Sequence, residues 1–343
     1  MSGVMSHVAR RGLVAAGTPT LTADDDILGS VNWLALAYVA IFWVGFMSIQ
    51  YTYGEVMATL AMVEAPQTET NIAIKVIGEK DEKEMEEIET VTKLPPITSH
   101  FFRSVGVLHA RAGSLAPYRG LSLYLVYNIM TALVSGLFLQ LGLGSFLTTV
   151  ITLVLFSRWG MTWTHIVISM PRAEWWCLRV PPIGTWKKIA PATALYAIAS
   201  YLATAYPAVY FRACGLDRVA LDASYWRNQD LHSRQIIVVQ LLACVLIGLT
   251  LSVLLVLPTS VMLTRIQASM LPEEVEPIFH MDRTFGGRVV SEADGGSGQL
   301  GIREAWQSFD WASRIRLLKL YGKLGAIQLA IVSCFIGFGM TVL

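Results

Sequence analysis

The sequence predicts an all-α integral membrane protein with six transmembrane helices, built as three repeats of a two-helix unit with long loops on one face. The 343-residue chain is 54% hydrophobic and only 15% charged, whereas soluble domains average about 25% charged residues. No charged residue occurs between Arg234 and Arg265. That run exceeds the roughly 20 apolar residues that cross the hydrocarbon core of a bilayer. Related short motifs also recur about every 100 residues, which indicates internal repeats.

The first predicted span covers residues 28–49 and continues through Glu55 to about residue 62. Residues 1–27 precede it as a flexible N-terminal segment. The beginning of this segment carries Arg and Ser but no acidic residue, so it is either an ordinary tail or a mitochondrial targeting segment. The polar loop after the span contains residues 79–89, where acidic and basic residues at i,i+4 spacing predict a solvated helix.

The remaining spans follow from uncharged apolar stretches, and we predict them at residues 121–139, 146–168, 189–211, 235–267 and 324–343. The Gly-rich turn at residues 141–144 is so short that the second and third spans must be antiparallel neighbours. Pro258 is expected to kink the fifth helix. The three long loops then lie on one face, at residues 63–119, 169–188 and 265–323.

The placement of basic residues predicts the orientation. Most of the 26 Lys and Arg residues fall in or beside the three long loops. The positive-inside rule therefore places these loops in the cytosol or its equivalent, the mitochondrial matrix, and both termini on the outer face. Acidic residues contribute little to this rule.

No motif in the sequence predicts an enzyme, and we expect no catalytic residue, cofactor, metal ion or nucleic-acid partner. Gly296, Gly298 and Gly301 match a GxGxxG pattern, but a dinucleotide site needs a strand before it and a helix after it. Here the pattern lies in a Gly-Ser linker. The six histidines are isolated, and we expect no ionisable side chain in the middle of a span, which argues against an ion pump.

Three short motifs carry the predicted repeat. Val-Met-x-Thr occurs at residues 56–59 and again at 261–264, and Thr164 occupies the matching place after the third span. Before the even-numbered spans the sequence has Tyr118-Arg119-Gly120, then aromatic-basic pairs at residues 186–188 and 321–323. Their shared order indicates three units, each with a span, a long loop and a second span.

These motifs make the chain similar to the mitochondrial carrier family. The resemblance covers most of residues 28–343 and implies six tilted helices, termini outside and long loops in the matrix. The positions that match the family motifs are Glu55, Thr59, Pro258, Thr264, Arg265, Gln267, Tyr118, Arg119 and Gly120. In that family, six charged residues pair between the repeats and close the matrix side of the protein. Of these six positions, only Glu55 is charged in this sequence. An unrelated six-span protein of the endoplasmic reticulum is the alternative.

Two functions remain open on this evidence. The first is a carrier that translocates a small neutral or amphipathic metabolite through a cavity between the helices. Its expected lining residues are Tyr127, Asn128, Ser200, Tyr201, Gln328 and Ser333. The second is a non-transporting membrane scaffold that binds a protein partner through the loop segments at residues 79–89 and 271–277. In both cases the bilayer itself is the main environment.

Overall fold

The computed structural model describes most of the chain as helices. The residues that it describes are 33–65, 67–77, 84–94, 96, 98, 101–221, 225–226, 228–289 and 298–342. The predicted N-terminal segment at residues 1–27 lies outside them.

The elements are numbered here in chain order. Helix α1 consists of three consecutive segments, which are Trp33–Ile49, the π-helical turns Gln50–Met57 and Ala58–Val63. Strands β1 and β2 are Gln67–Ile77 and Glu84–Leu94. The next helices are α2 Phe101–Ala112, α3 Leu121–Gln140, α4 Ser145–Leu155, α5 Ser157–Ile168, α6 Gly184–Ala213 and α7 Asp217–Leu221. Helix α8 joins Leu231–Leu251, the π-helical turns Ser252–Val256 and Leu257–Ser269. Helices α9 and α10 are Ile302–Gln307 and Trp311–Val342.

Several of these helices have the length and composition of membrane spans. Within the described residues, five pass that test, and a sixth is added if the bent pair α4 and α5 is one span. The two members of that pair meet at 54°. In none of the five is more than 17% of the most apolar window buried, so most of these apolar side chains are accessible, as the lipid-facing side chains of a membrane span would be. The chain therefore fits a multi-pass helical membrane protein.

Five of the predicted spans each coincide with one helix, whereas the third, at residues 146–168, is divided between α4 and α5. Three helices begin at least four residues earlier than expected, and one of them is α8, which begins at Leu231 rather than near residue 235. Helix α6 begins at Gly184 rather than near residue 189, and α10 begins at Trp311 rather than near residue 324. The loops also contain helices, since α2 lies between the first two spans and α9 precedes the last.

The helix predicted at residues 79–89 is wrong. The part of this segment that the structure describes belongs to β2, which pairs antiparallel with β1 from Gln67 opposite Leu94 to Ile77 opposite Glu84. β-branched residues such as Ile72, Ile74 and Val91 favour extended backbone, and here they outweigh the i,i+4 charge pattern. Residues 78–83 lie outside the described residues.

The buried core lies where the odd-numbered spans end. Ala58–Val63, Ser157–Ile168 and Leu257–Ser269 each contact the other two, and we call this region the odd-helix end. The loop after α8 packs its apolar side chains into the same core, including Leu271, Val275, Ile278 and Phe285. Its backbone is also tied to α5, because the Ile278 amide donates to the Ile168 carbonyl over 2.8 Å.

The contacts divide the chain into two units, of which Ile49–Ile327 is the larger and contains the whole core. The smaller unit combines Met1–Ser48 with Gln328–Leu343. Inside the smaller unit, the Tyr38 hydroxyl donates to the Phe335 carbonyl over 2.7 Å. The Phe335 ring also stacks on Tyr38 and on Phe42, at centroid distances of 4.8 and 3.9 Å.

Candidate binding site

Glu55 lies inside the first long apolar helix, in a stretch where the backbone has π-helical turns. Such turns are rare, and they occur frequently at functional sites. The sequence predicts that the first span continues through Glu55, which also matches a carrier motif, and that no ionisable side chain lies in the middle of a span. The structure places Glu55 within the candidate span Leu36–Val63, eight residues from its end. An ionisable group inside a membrane helix indicates a functional site.

Two aromatic side chains, Tyr124 and Tyr51, lie beside Glu55. The Tyr124 hydroxyl approaches Glu55 Oε1 at 3.5 Å, and the Tyr51 ring meets the Tyr124 ring edge-on at 5.0 Å between centroids. Tyr51 is held from both sides, since its hydroxyl donates to the Arg119 carbonyl and accepts a 3.2 Å bond from Trp163 Nε1. These bonds fix one wall of the site.

Three further tyrosines lie within electrostatic range of the same carboxyl group. They are Tyr127, Tyr196 and Tyr321. Together with Tyr51 and Tyr124 they come from α1, α3, α6 and α10. Tyr51 is buried, whereas the other four tyrosines and Glu55 keep partial exposure to solvent. We call Glu55 and these five tyrosines the tyrosine cage.

The carboxyl group in the cage lacks a compensating charge. Within the described part of the chain, Glu55 forms no ion pair, and its one hydrogen bond is the long contact from Tyr124. A buried charge is expensive unless it is paired and well hydrogen-bonded. The cage is therefore suited to a ligand that brings a positive charge or hydrogen-bond donors to the Glu55 carboxyl group.

The six predicted lining residues fall in different places. Tyr127 belongs to the cage, and Asn128 Nδ2 donates to the Tyr124 carbonyl over 2.8 Å. Ser200 follows Tyr196 by one helical turn, and its Oγ is buried. Tyr201 instead contacts Ser145 Oγ at 3.0 Å in a contact between α6 and α4. The remaining two, Gln328 and Ser333, belong to the smaller unit.

The residues that resemble carrier motifs concentrate at the odd-helix end. Buried Arg265 donates to the Met62 carbonyl over 2.7 Å, and the Thr164 hydroxyl donates to Gln267 Oε1 over 2.7 Å. Thr59 is buried nearby, while Thr264 and Pro258 are partly exposed. These contacts join the ends of the three odd-numbered spans.

The motif before α3 also has a structural role. Gly120 adopts φ +69°, and a Cβ there would lie 3.0 Å from Trp163 Cδ1. Arg119 Nη2 donates to the Ile166 carbonyl over 2.7 Å and also to the Ser169 carbonyl. Tyr118 is exposed. The motif therefore packs the start of α3 against α5.

A second cleft of about 330 Å³ opens at the odd-helix end, next to Arg265, Asp282, Arg288 and Asp310. Its buried cation is fully engaged, because Arg265 also donates to Ser308 Oγ and to the Ser308 carbonyl. The Phe285 and Phe309 rings cover its guanidinium at 4.6 and 5.4 Å. This cleft is a by-product of the packing that closes the odd-helix end, and we consider the cage the better candidate site.

The apolar helices fit a multi-pass helical membrane protein, and the tyrosine cage is a candidate site between them. No family model, no curated protein and no solved structure matches the chain. Within the described residues, no three His, Cys, Asp or Glu side chains lie close enough together to hold a metal ion.

Proposed function

We propose that this protein is a carrier-like membrane protein that binds a small amphipathic solute in the tyrosine cage and translocates it. The observation that carries the proposal is the partly exposed Glu55 carboxyl group, which Tyr124 contacts at 3.5 Å and which lies within electrostatic range of tyrosines from other helices. A few polar groups in an otherwise apolar recess are typical of small-molecule sites. Tyrosine rings would hold the apolar part of the solute, and the hydroxyls would orient its polar part.

The odd-helix end supports the transport part of the proposal. Alternating access needs a gate on each side of the site that can close and reopen. Apolar side chains and hydrogen bonds such as Thr164 to Gln267 close this end. Such contacts would serve in place of the charge pairs that gate the mitochondrial carriers, which the chain resembles in its motifs. The mutual contact of the three odd-span ends is also what a three-repeat arrangement predicts.

Transport is tested with purified protein in liposomes. We expect time-dependent uptake of at least one compound from a broad panel of small metabolites, offered with and without a counter-substrate inside. Liposomes with heat-denatured protein control for leakage. If no compound enters faster than in these controls, the transport proposal fails.

The membrane and the orientation are part of the proposal. From the motif resemblance and the basic loops, we propose the inner mitochondrial membrane, with the loop between the first two spans in the matrix. A protease-sensitive tag inserted in residues 79–89 tests this placement. We expect the tagged protein in purified mitochondria. The tag should stay protected from the protease after the outer membrane is ruptured. Cleavage of the tag on intact mitochondria, or its absence from them, would contradict this placement.

A second candidate function is a scaffold that binds a protein partner. The observation that favours it is the hairpin of β1 and β2, whose outer edges pair with no further strand among the described residues. Free strand edges can accept a strand from a partner. Glu273, Glu274 and Glu276 of the other predicted docking segment are exposed, whereas Leu271 and Val275 are built into the core. Stable co-purification of a partner that is lost when residues 67–94 are deleted would favour this function.

A further inference from the structure

The charge balance of the tyrosine cage indicates what kind of solute it binds. Glu55 contributes one carboxyl group, and no Lys or Arg among the described residues pairs with it. Removal of a carboxylate from water is unfavourable unless a positive charge or several hydrogen-bond donors replace that water. The single 3.5 Å contact from Tyr124 is too long to be a strong hydrogen bond. The Glu55 carboxyl group therefore lacks a positive charge, which the described part of the protein does not provide.

The surrounding rings favour an organic cation over a metal ion. Ca²⁺ and Mg²⁺ require about six oxygen ligands in a tight shell, and the cage supplies one carboxyl group and phenol hydroxyls. Tyrosine faces, by contrast, attract ammonium groups through their quadrupole, as in the aromatic cages that bind methylated ammonium ligands. Tyr51 and Tyr124 already meet edge to face at 5.0 Å. An alkylated ammonium group is poorly hydrated, so it loses little when it leaves water. Such rings can therefore cover it.

We propose that the tyrosine cage binds the ammonium group of an amphipathic organic cation, with Glu55 as its counter-ion and the tyrosine rings around its alkyl groups. This inference rests on the proposed function, because it specifies the charge of the solute that the carrier would take. Glu55 supplies the electrostatic attraction and the rings supply selectivity for an alkylated ammonium over a small hydrated ion.

The test compares two probes of nearly equal shape that differ in charge. Phenyltrimethylammonium is the cation, and tert-butylbenzene is its neutral isostere. Binding is measured by isothermal titration calorimetry on the full chain in dodecyl maltoside, a detergent without choline headgroups that would compete. We expect the cation to bind more tightly than the isostere. Glu55→Gln keeps the shape but removes the charge, and it should weaken cation binding about 30-fold or more, as the loss of one partner of a buried charge pair does.

Matched variants separate the cage from general effects. Glu274 is exposed and lies outside the cage, so Glu274→Gln should leave cation binding unchanged. Tyr196→Leu should weaken it about threefold to tenfold through the lost ring, while Tyr196→Phe should retain it. Tyr206 lies on the same helix but is 59% exposed, and Tyr206→Leu is the control for truncation of a tyrosine. Thermal melting of each variant verifies that it is folded.

The outcomes distinguish this inference from the proposed function. Equal binding of both probes, no binding of either, or full cation binding in Glu55→Gln would overturn the cationic site. Uptake of a neutral or anionic metabolite into liposomes would still support the carrier in that case. Conversely, Glu55-dependent cation binding without uptake of any compound would support the cationic site and overturn transport.

Discussion

Arg265 Nη1 donates a buried 2.7 Å hydrogen bond to the carbonyl oxygen of Met62, a residue 203 positions earlier in the chain. Met62 lies in the last turn of α1, where carbonyl groups lack partners within the helix and the helix dipole is negative. The same guanidinium also bonds Ser308 and contacts the rings of Phe285 and Phe309. One buried cation thus joins the ends of two odd-numbered spans to the segment before the last helix.

The first prediction concerns the stability of this junction. Arg265→Leu removes several charge-assisted hydrogen bonds and leaves the Met62 carbonyl buried without a partner. We expect the free energy of unfolding to fall by about 2–4 kcal/mol, measured by denaturant unfolding in detergent micelles. Arg265→Lys should lose less than the leucine variant, because a lysine keeps the charge but not the planar fork of donors.

Arg303 provides the matched control for that substitution. It lies on the neighbouring short helix α9 and is exposed, so Arg303→Leu should change the free energy of unfolding by at most about 0.5 kcal/mol. Equal losses from the Arg265 and Arg303 variants would mean that the junction to Met62 adds nothing to stability.

The second prediction concerns the contact between α5 and α8. The Thr164 hydroxyl donates to Gln267 Oε1 over 2.7 Å, and both residues are buried. A double-mutant cycle with Thr164→Val and Gln267→Leu should give a coupling energy of about 1 kcal/mol, the usual net value of one such hydrogen bond.

The control cycle pairs Gln267→Leu with Thr193→Val. Thr193 is also buried, but its hydroxyl donates to the Ile189 carbonyl of its own helix over 3.0 Å. This second cycle should therefore be additive within about 0.5 kcal/mol. If both cycles are additive, the hydrogen bond from Thr164 to Gln267 contributes no coupling energy between the two spans.

The long apolar helices were predictable because a bilayer imposes a minimum length on any span. The start of α10 was not predictable in this way. Its first turns contain Arg314, Arg316 and Lys319, whereas the spans were predicted from uncharged apolar stretches. Those turns are amphipathic, and Leu317, Leu320 and Leu324 are buried along one face. A search for 3.6-residue periodicity would have found this extension.

The hairpin shows where two local signals disagree. Alternating charges at i,i+4 spacing favour a helix when side chains on one face can pair. Strands β1 and β2 instead contain Ile72, Ile74, Thr90, Val91 and Thr92, and β-branched residues favour a strand. In the strand register, Lys75 lies opposite Glu86.

The tyrosine cage could be predicted only in part. Tyr127 was expected to line a cavity from its place on an even-numbered span, and Glu55 was noted for its motif. Their association with Tyr51, Tyr196 and Tyr321 depends on contacts between helices that are distant in sequence. Nothing in the local pattern of one helix specifies which tyrosine of another lies near the same carboxyl group, so this arrangement emerges only from the packed structure.

The third prediction concerns the loop that covers Arg265. The Asp282 carboxylate accepts hydrogen bonds from the backbone amides of Thr284 and Gly286 over 2.9 and 2.7 Å, and from the Thr284 hydroxyl over 2.7 Å. Burial alone would raise the pKa of Asp282, but these hydrogen bonds outweigh it and hold the pKa below its ordinary value. They fix the turn in which Phe285 adopts φ +49° and reaches Arg265.

A depressed pKa in the folded state determines the direction of the pH dependence. The stabilisation by Asp282 is fully present above the pKa of the unfolded chain, about 4, and is lost as the pH falls through the lower folded value. Hydrogen exchange at the Gly286 amide, corrected for the intrinsic rate, should therefore accelerate when the pH drops from 6 to 3. In Asp282→Asn, the Gly286 amide should exchange faster at pH 6, and its exchange should depend less on pH. Equal protection at both pH values in the unchanged protein would refute this role.

The last prediction concerns the close approach of α10 to α1 beside the cage. A Cβ atom at Gly54 would lie 2.8 Å from Gln50 Nε2 and 3.2 Å from Leu324 Cδ2. Alanine gains about 1 kcal/mol of helix propensity over glycine, so Gly54→Ala should be nearly neutral if the two flexible side chains move. Gly54→Leu cannot be accommodated in this way and should lower the free energy of unfolding by about 1–3 kcal/mol through overpacking.

Gly136 is the matched control, because it is an exposed helical glycine, and a Cβ atom added there would meet nothing within 4 Å. Gly136→Leu should leave stability unchanged or raise it by up to about 1 kcal/mol. Leu324→Ala should partly restore the stability of Gly54→Leu, since it removes the atoms that the larger side chain meets. Absence of that rescue would mean that the cost at Gly54 comes from its own helical turn. A full rescue would establish that contact between α1 and α10 limits the size of residue 54.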